Sequence, residues 1–331
     1  MVLSMKKIKT HDKIVELVLD SLKKEIIPWE KGWYGDPLCY NPVTGTCYRG
    51  VNYFMLRMIS DIEKYEDPRW MTFNQIKKAN FHLENAKGKG VPIVFWAAFN
   101  KEDKTEIKNS WAAARMAKED PESIYFVART YTVFNASLVK GIEPYSHRES
   151  VNDDQISLFL KDYIRSEGIT LLHGGDEAYY QYGEDAIRLP HPHVFTDRGY
   201  YLDTLAHEIS HSTGHQKRLD RRDQMIRYHF DDLERAKEEL RAELGSMFIN
   251  SELGIPPSEE RIERHQAYIQ SWISLIEEKP YELIQAIRDA EKIQSYVYEH
   301  GHVDLYIDRP EPKLLSEKSE KTNEREGELE K

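Results

Sequence analysis

The stretch Thr204–His215, TLAHEISHSTGH, contains three histidines and one glutamate. Its central part, His207 to His211, matches the pattern H-E-x-x-H. On a helix, positions i and i+4 project from one face about one turn apart, so these two imidazoles can grip one metal ion. Glu208 projects to the side, where it can hold and deprotonate a metal-bound water. The stretch therefore predicts a catalytic metal site on a helix.

The residues around this motif indicate that the helix is buried. Leu202, Leu205, Ala206 and Ile209 are apolar and suit a face turned toward a core. Gly214 follows the second histidine by three residues, and we expect it to end the helix in a left-handed turn. We expect a strand carrying GEDAIRLP to precede the helix and to form the edge along which a substrate aligns.

A catalytic zinc site usually has three protein ligands and one water, so a third ligand must come from downstream. The longer pattern H-E-x-x-H-x-x-G-x-x-H fails, because Lys217 occupies the place of its last histidine. His215 follows His211 by four residues and stays an alternative ligand, although the break expected at Gly214 argues against it.

The segment KEELRAELGSMF is the better source of a third ligand. Glu239 and Glu243 lie four residues apart on one helical face, beside an apolar surface. We predict Glu239 as the metal ligand and Glu243 as the hydrogen-bond partner of a ligand histidine, and the reverse assignment stays open. Glu234 and Glu238 are interpreted as a solvated acidic face.

Two histidines and one glutamate leave one position of the ion open for substrate or water. Such an ion polarises a carbonyl and lowers the pKa of its water, which favours hydrolysis of a peptide bond. The donor types favour Zn²⁺, with another divalent metal as the alternative. The candidates for stabilising the oxyanion are Tyr200, Tyr201, Tyr228 and His229.

His191 and His193 form a second small cluster in LPHPHVF. Flanking prolines keep this segment extended, so both side chains point to one side. We interpret it as a surface strand, and a second metal site is the alternative.

Charge is distributed unevenly along the 331 residues, whose net charge is −11. Residues 1–140 carry a net charge of about +5 and the rest about −16. A basic front half favours a polyanion partner for that half, with chance clustering as the alternative. No apolar run is long enough to span a bilayer, and the first residues are typical of an amphipathic helix rather than a signal peptide. Two cysteines without an export signal predict a reduced, cytoplasmic protein.

The pattern of apolar residues predicts helices and strands in both halves of the chain. We expect a polar domain boundary at Lys140–Asp153 and a loop or insertion at Lys101–Glu122. In the front half the predicted elements are a helix over 10–27 stopped by Pro28, a helix over Met55–Ile62, a helix in WMTFNQIKKANFHL with Thr72 as N-cap, a buried strand at Val91–Phe99, and one or two strands at Ser123–Ser137. In the back half they are a helix over Asp154–Glu167, strands in GITLLHGG and AYYQYGEDAIRLP, and helices over Leu233–Leu253, Pro257–Glu277 and Tyr281–Glu299.

Longer motifs carry a resemblance to a known family. YYLDTLAHEISHSTGHQKRLDR, followed by EELRAELGSMFINSELGI, resembles the zincin-type metallopeptidase domain of ArdC-like antirestriction proteins. WEKGW, NPVTGTCYRGVNYFML, PRWMTFNQIKKA, GKGVPIVFW and YTVFNASLVKGI are similar to the single-stranded-DNA-binding domain of that family. The resemblance runs from Ile14 to Val297 in the same order. The chain differs from the usual pattern in its longer insertion at Lys101–Glu122 and its charged tail.

The resemblance implies a plasmid-, phage- or mobile-element-associated protein that protects incoming DNA from restriction. Related front domains also occur fused to plasmid primases. We expect an α+β fold, with a small mixed α/β domain that binds single-stranded DNA at residues 1–145. A mostly helical zincin-like metallopeptidase domain with a small sheet is expected at 146–308. The charged segment 309–331 is expected to be disordered.

Binding of single strands without sequence preference needs a basic groove and aromatic side chains on which bases stack. Most aromatics of the front half are expected to lie in its core, including at least one of Phe95 and Trp96. The residues predicted to contact DNA are the loop residues Tyr48, Arg49 and Asn52, together with Lys77, Lys78, Lys87 and Lys89.

Two other functions remain open at this point. One is a non-enzymatic protective protein that binds DNA and holds a structural metal, although Glu208 argues against it because a structural site needs no general base. The other is a secreted or stand-alone protease with an accessory substrate domain. The protein substrate of the peptidase site does not follow from the sequence.

Overall fold

The computed structural model describes residues 9–29, 39–108, 110–146, 151–255, 268–308, 312 and 314–315. Four helices and two small antiparallel sheets form the described front half. The elements are α1 (Lys9–Leu22), α2 (Gly50–Glu63), β1 (Trp70–Thr72), α3 (Phe73–Lys78), β2 (His82–Leu83), β3 (Val91–Asn100), α4 (Ser110–Glu119), β4 (Ile124–Asn135) and β5 (Val139–Lys140). In the larger sheet β4 lies between β1 and β3, and the long β3–β4 pair forms an antiparallel ribbon. Strands β2 and β5 form a separate two-stranded sheet.

Six helices and a small three-stranded sheet form the described back half. The elements are α5 (Asp153–Ser166), β6 (Thr170–His173), β7 (Tyr179–Gln181), β8 (Ala186–Leu189), α6 (Arg198–Ser212), α7 (Arg222–Arg227), α8 (Asp232–Leu253), α9 (Ile269–Glu278) and α10 (Pro280–His300). In the sheet β8 is central, parallel to β6 and antiparallel to β7. The predicted α+β class is confirmed.

Two predicted helices of the front half have other ends than expected. Helix α1 ends at Leu22, before Pro28, because Glu25 adopts a left-handed conformation and the N–H of Ile26 bonds back to Ser21. Thr72 is an N-cap, as predicted, and forms a capping box with Gln75. The residues just before it form β1 instead of extending the helix.

The segment expected to be a loop at Lys101–Glu122 contains α4. Three consecutive alanines within SWAAARMAKE explain the helix, because alanine has the highest helix propensity. The prediction of an irregular insertion is therefore wrong for this part of the chain.

The β3–β4 ribbon is buried at its base and exposed further out. Val91 and Val133 face each other in the core, whereas Phe95 is 53% and Trp96 47% exposed. Further exposed apolar residues on β4 are Phe126, Val127 and Tyr131. The expectation that at least one of Phe95 and Trp96 is buried is wrong, because the ribbon extends past the elements that cover its base.

One hydrophobic core joins the two halves of the chain. Trp29 packs against Trp272 with ring centroids 5.8 Å apart, and the Tyr53 hydroxyl lies 2.9 Å from that of Ser251. This shared core also contains residues of α1, α2, α8, α9 and α10, including Ile14, Phe54, Met55, Leu240, Leu244, Phe248 and Ile287. Residues on both sides of the expected boundary at 145/146 thus contribute to one packed interior.

A second core lies within the back half, between α5, the sheet, α6 and the ends of α8 and α10. Within the described ranges, no helix is long and apolar enough to cross a membrane. Of the helix predicted at Pro257–Glu277, residues 257–267 lie outside the described ranges. The tail expected to be disordered also lies outside them, except for residues 312, 314 and 315.

Candidate metal centre

Helix α6 carries the H-E-x-x-H residues and is fixed on its opposite face. Asp197 caps the helix by accepting from the N–H of Tyr200 at 2.8 Å. Leu202, Leu205 and Ile209 are fully buried in the second core. The predicted burial of this helix is correct, and it turns the histidine face toward α8.

His207, His211 and Glu239 come together between α6 and α8. Their candidate ligand atoms all lie within 4.8 Å of one another. The two Nε2 atoms of the histidines are 3.1 Å apart, and Glu239 oxygens lie 3.9 Å from His207 Nε2 and 3.5 Å from His211 Nε2. Two imidazole nitrogens and one carboxylate facing a common point are the donors of a three-ligand zinc site, so the residues fit a bound metal.

Glu243 lies on the other side of His207. Its Oε2 is 3.5 Å from Nδ1, the ring nitrogen that faces away from the cluster. The geometry therefore favours Glu239 over Glu243 as the metal ligand.

The charges of the cluster suit a cation. Burial lowers the pKa of His211, but the carboxylates of Glu239 and Glu238 outweigh burial and raise this pKa to about 10. Burial would raise the pKa of Glu239, yet His211 and His207 bring it down to about 2. Without metal, the carboxylates thus hold a proton on His211, and a divalent ion would take over that positive charge.

Glu238 is the functional candidate that the sequence interpretation missed. It is fully buried and lies 3.2 Å from His211 Nδ1, so its assignment to a solvated face is wrong. Arg221 donates to both of its oxygens, at 2.7 and 2.8 Å. Arg221 lies 17 positions upstream of Glu238 in the sequence. The i, i+3 and i, i+4 spacings of a helix do not relate residues so far apart, so the sequence pattern did not indicate this pair. Glu234, the other residue assigned to that face, pairs with Lys237 at 2.6 Å.

His215 is separate from the metal cluster. Its Nδ1 accepts from the N–H of Lys217 and lies 4.0 Å from Asp185 Oδ2. The left-handed turn expected at Gly214 is absent, because α6 already ends at Ser212 with Thr213 in a right-handed conformation. Gly214 instead allows close packing against Arg221 and Met225.

The cluster opens into a cavity of about 1160 Å³. Glu208 and the edge strand β7 line it, whereas β8, which contains the AIRL part of GEDAIRLP, is central in its sheet. The substrate-aligning edge expected at GEDAIRLP is thus wrong, since the strand beside the cavity is β7.

The four oxyanion candidates divide by position. Tyr200, Tyr228 and His229 line the cavity, and the Tyr228 hydroxyl donates to Glu239. Burial and the nearby Glu239 carboxylate raise the pKa of Tyr228. Tyr201 instead contacts His173 Nε2 at 3.1 Å.

His191 and His193 are exposed, with their rings stacked at 5.5 Å. Among the described residues, the group that could hold a metal is His207, His211 and Glu239, so a second histidine site at this place is not supported.

The residues predicted to contact DNA divide into exposed cations and side chains engaged in the fold. Tyr48 is buried and its hydroxyl donates to the carbonyl of Trp70 at 3.2 Å. The Asn52 amide bonds to both backbone groups of Val94, at 2.7 and 2.8 Å. Both side chains are engaged in hydrogen bonds within the fold, so the structure does not support their predicted contacts with DNA. The exposed cations are Arg49, Lys77, Lys78 and Lys87, while Lys89 pairs with Glu63 at 2.9 Å.

Two family models match consecutive parts of the chain. Residues 160–289 match the zincin-like metallopeptidase family, and residues 9–134 match the N-terminal domain of anti-restriction factor ArdC. With the histidine pair and the downstream carboxylate, the first match defines the back half as a zincin-like metallopeptidase domain. The chain as a whole belongs to the ArdC-like antirestriction family.

Solved structures and curated relatives agree with this assignment. Crystal structures of antirestriction protein ArdC from plasmid R388, metal-free and Mn(II)-bound, superpose with TM-scores of 0.70 and 0.68 at 25% identity, over 88% of this chain and 97% of theirs. DNA primase TraC of Escherichia coli is 34% identical over 87% of this chain and 27% of its own length. The chain thus spans about a quarter of TraC. Uncharacterized protein y4eC of Sinorhizobium fredii is 28% identical, over 82% of this chain and 84% of its own.

Proposed function

We propose that this protein couples single-stranded DNA binding in its front half to zinc-dependent peptide hydrolysis in its back half, and so protects mobile-element DNA from restriction in the cytoplasm. The observation that carries the proposal is the cluster of His207, His211 and Glu239 at a cavity that Glu208 also lines. The protein substrate is a separate question, since no contact in the cavity identifies it.

His207, His211 and Glu239 would hold the metal, and Glu243 would orient His207 through Nδ1. When bound, the metal polarises the substrate carbonyl and lowers the pKa of a water. Mn²⁺ is an alternative to Zn²⁺, since one ArdC crystal structure is described as Mn(II)-bound.

The residues of this chain supply the other parts of a hydrolytic site. Glu208 lines the cavity and takes the proton of the attacking water as general base. Tyr228 lies at the cavity wall with its hydroxyl on Glu239, from where it can turn to donate to the developing oxyanion. Strand β7 is an edge strand, so its outer main-chain groups can pair with an extended peptide.

Replacing Glu208 by glutamine tests whether hydrolysis is needed for protection. The variant should keep its metal, because Glu208 is not a ligand, and should lose about 10²–10⁴-fold in hydrolytic rate as its general base is removed. We expect protection to fall to the level without the protein, measured as the yield of transformants when unmodified DNA enters a restricting host. Glu184→Gln, an exposed change on the turn before β8, is the matched control.

Full protection by the Glu208 variant would contradict the peptidase mechanism. It would instead support the second candidate function, a DNA-binding protective protein whose metal is structural.

The exposed cations of the front half are proposed to contact phosphates. Binding of a labelled oligothymidylate should weaken steeply with salt, with a slope of about −0.7 in log K against log salt for each phosphate neutralised. Changing Lys77 and Lys78 to glutamine should lower affinity and reduce the slope by up to about 1.4. Lys161→Gln, an exposed change on α5, is the control, and fluorescence anisotropy is the measurement. A salt-independent affinity of the parent would overturn the proposed contacts.

A further inference from the structure

Arg221 joins the two helices that supply the metal ligands. It lies in the segment between α6 and α7, and its guanidinium donates to the carbonyl of Ser210 at 2.9 Å and to the hydroxyl of Thr213 at 2.8 Å. Both acceptors lie at the carboxyl end of α6. The same guanidinium donates to both oxygens of Glu238 on α8. One side chain thus fixes the end of α6 against α8.

Glu238 links Arg221 to the metal ligand His211. Its Oε1 lies 3.2 Å from Nδ1 of His211. An ionised carboxylate can only accept, so Nδ1 is the donor of this pair and carries a ring proton. When the ring binds a metal as a neutral imidazole, a proton held on Nδ1 leaves the lone pair of Nε2, the atom that faces His207 and Glu239, for the metal. Glu238 lies on the far side of the imidazole and is therefore not itself a ligand.

The space around this connection is closed. The side chain of Glu238 has no exposed area, and that of Arg221 is 8% exposed. A Cβ built on Gly214 would lie 3.1 Å from Arg221 Nη2 and 3.1 Å from the carbonyl oxygen of His211. Only a glycine at this position lets the guanidinium reach the end of α6 without displacement. The close packing thus restricts movement of the guanidinium and of the carboxylate behind the ring.

We propose that Glu238 and Arg221 are a positioning pair that fixes the tautomer and orientation of His211 and the distance between the two ligand-bearing helices. This inference rests on the metal site of the proposed function and assigns it two residues that the ligand pattern does not contain. A buried carboxylate without a cationic partner would cost free energy, and Arg221 removes that cost by pairing with both oxygens. The pair is therefore built to hold a charged acceptor behind a ligand histidine.

Metal affinity of the full chain tests the pair without a substrate. Apo protein is titrated with Co²⁺ in competition with a chelator, and the visible absorption bands of bound Co²⁺ report the geometry of its ligands. We expect Glu238→Gln to bind Co²⁺ about 10–100-fold more weakly and to alter the bands. Glu234→Gln, one turn earlier on α8 and paired with Lys237, should match the parent.

Arg221→Lys is the second variant, for the case that Glu238→Gln folds poorly. Lysine keeps the charge but lacks the planar fork that grips two oxygens, so we expect a smaller loss of affinity with the same change of spectrum. Arg222→Lys, at the neighbouring exposed position, is its control. Circular dichroism gives the folded fraction to which each affinity is referred.

The outcomes separate the two proposals. If the parent binds no Co²⁺, the metal site fails and the positioning pair fails with it. If the parent binds and Glu238→Gln matches it in affinity and spectrum, the positioning pair alone is overturned. If the variants lose metal only in proportion to their unfolded fraction, the pair merely supports folding, and its proposed positioning role is also overturned.

Discussion

Replacing His211 by alanine is expected to abolish stoichiometric metal binding, and replacing His207 should do the same. The Nε2 atoms of these residues lie 3.1 Å apart and provide two of the three ligands of the cluster. With one imidazole removed, a histidine and a glutamate remain, which are too few to hold a divalent ion through dialysis. Elemental analysis should give about one metal per chain for the parent and close to none for either variant.

His215→Ala is the matched control for this experiment. It removes the third histidine of the same short stretch, whose ring contacts Tyr182 and Asp185 outside the cluster. Its metal content should equal that of the parent. Glu239→Gln should lose metal like the histidine variants, while Glu243→Gln should only weaken binding. If Glu243→Gln lost the metal and Glu239→Gln kept it, the ligand assignment would be reversed.

The second large effect is expected at Trp272, a residue of the shared core that is not one of the metal ligands. This side chain is fully buried in the shared core, packs against Trp29 and donates to the carbonyl of Ala236 on α8 at 3.2 Å. Trp272→Ala should lower the free energy of unfolding by about 3–5 kcal/mol, because it leaves a large cavity. Denaturant unfolding followed by circular dichroism measures this value.

Since the core includes both halves, we expect one transition that involves the whole chain rather than two. Trp96→Ala is the control, because that side chain is 47% exposed on the ribbon and should change stability by less than about 0.5 kcal/mol. Two separate transitions in the parent, only one of them shifted by Trp272→Ala, would contradict a shared core.

The metal site was largely predictable because its signals are local. The spacing of His207 and His211 follows the helical repeat, and Glu239 lies on a helix with a clear apolar face. Glu238 could not be found in this way, since its role depends on Arg221, a partner from another segment. A charged residue adjacent to a ligand in the sequence is predicted to be exposed unless the segment that packs against it is known.

In the front half, too, the sequence did not show which side chains are exposed and which are engaged in tertiary contacts. The apolar run at Val91–Phe99 correctly predicted a strand, but composition does not say what covers each face of it. Phe95 and Trp96 are exposed because the ribbon leaves the core. Tyr48 and Asn52 were predicted to contact DNA because they lie between turn formers and cations, yet tertiary hydrogen bonds to Trp70 and Val94 engage them. The exposed lysines stay untested predictions.

Helix α8 has carboxylates on one side and shared-core residues on the other, and this limits which chimeras can work. Exchanging the front half with that of a relative would place foreign side chains against Leu240, Leu244 and Phe248, which lie on the same helix as Glu239. A graft cut near residue 145 should succeed only when the matching surface of α8, α9 and α10 is exchanged with it. The front half and the surface of the back half that packs against it therefore have to come from the same parent protein.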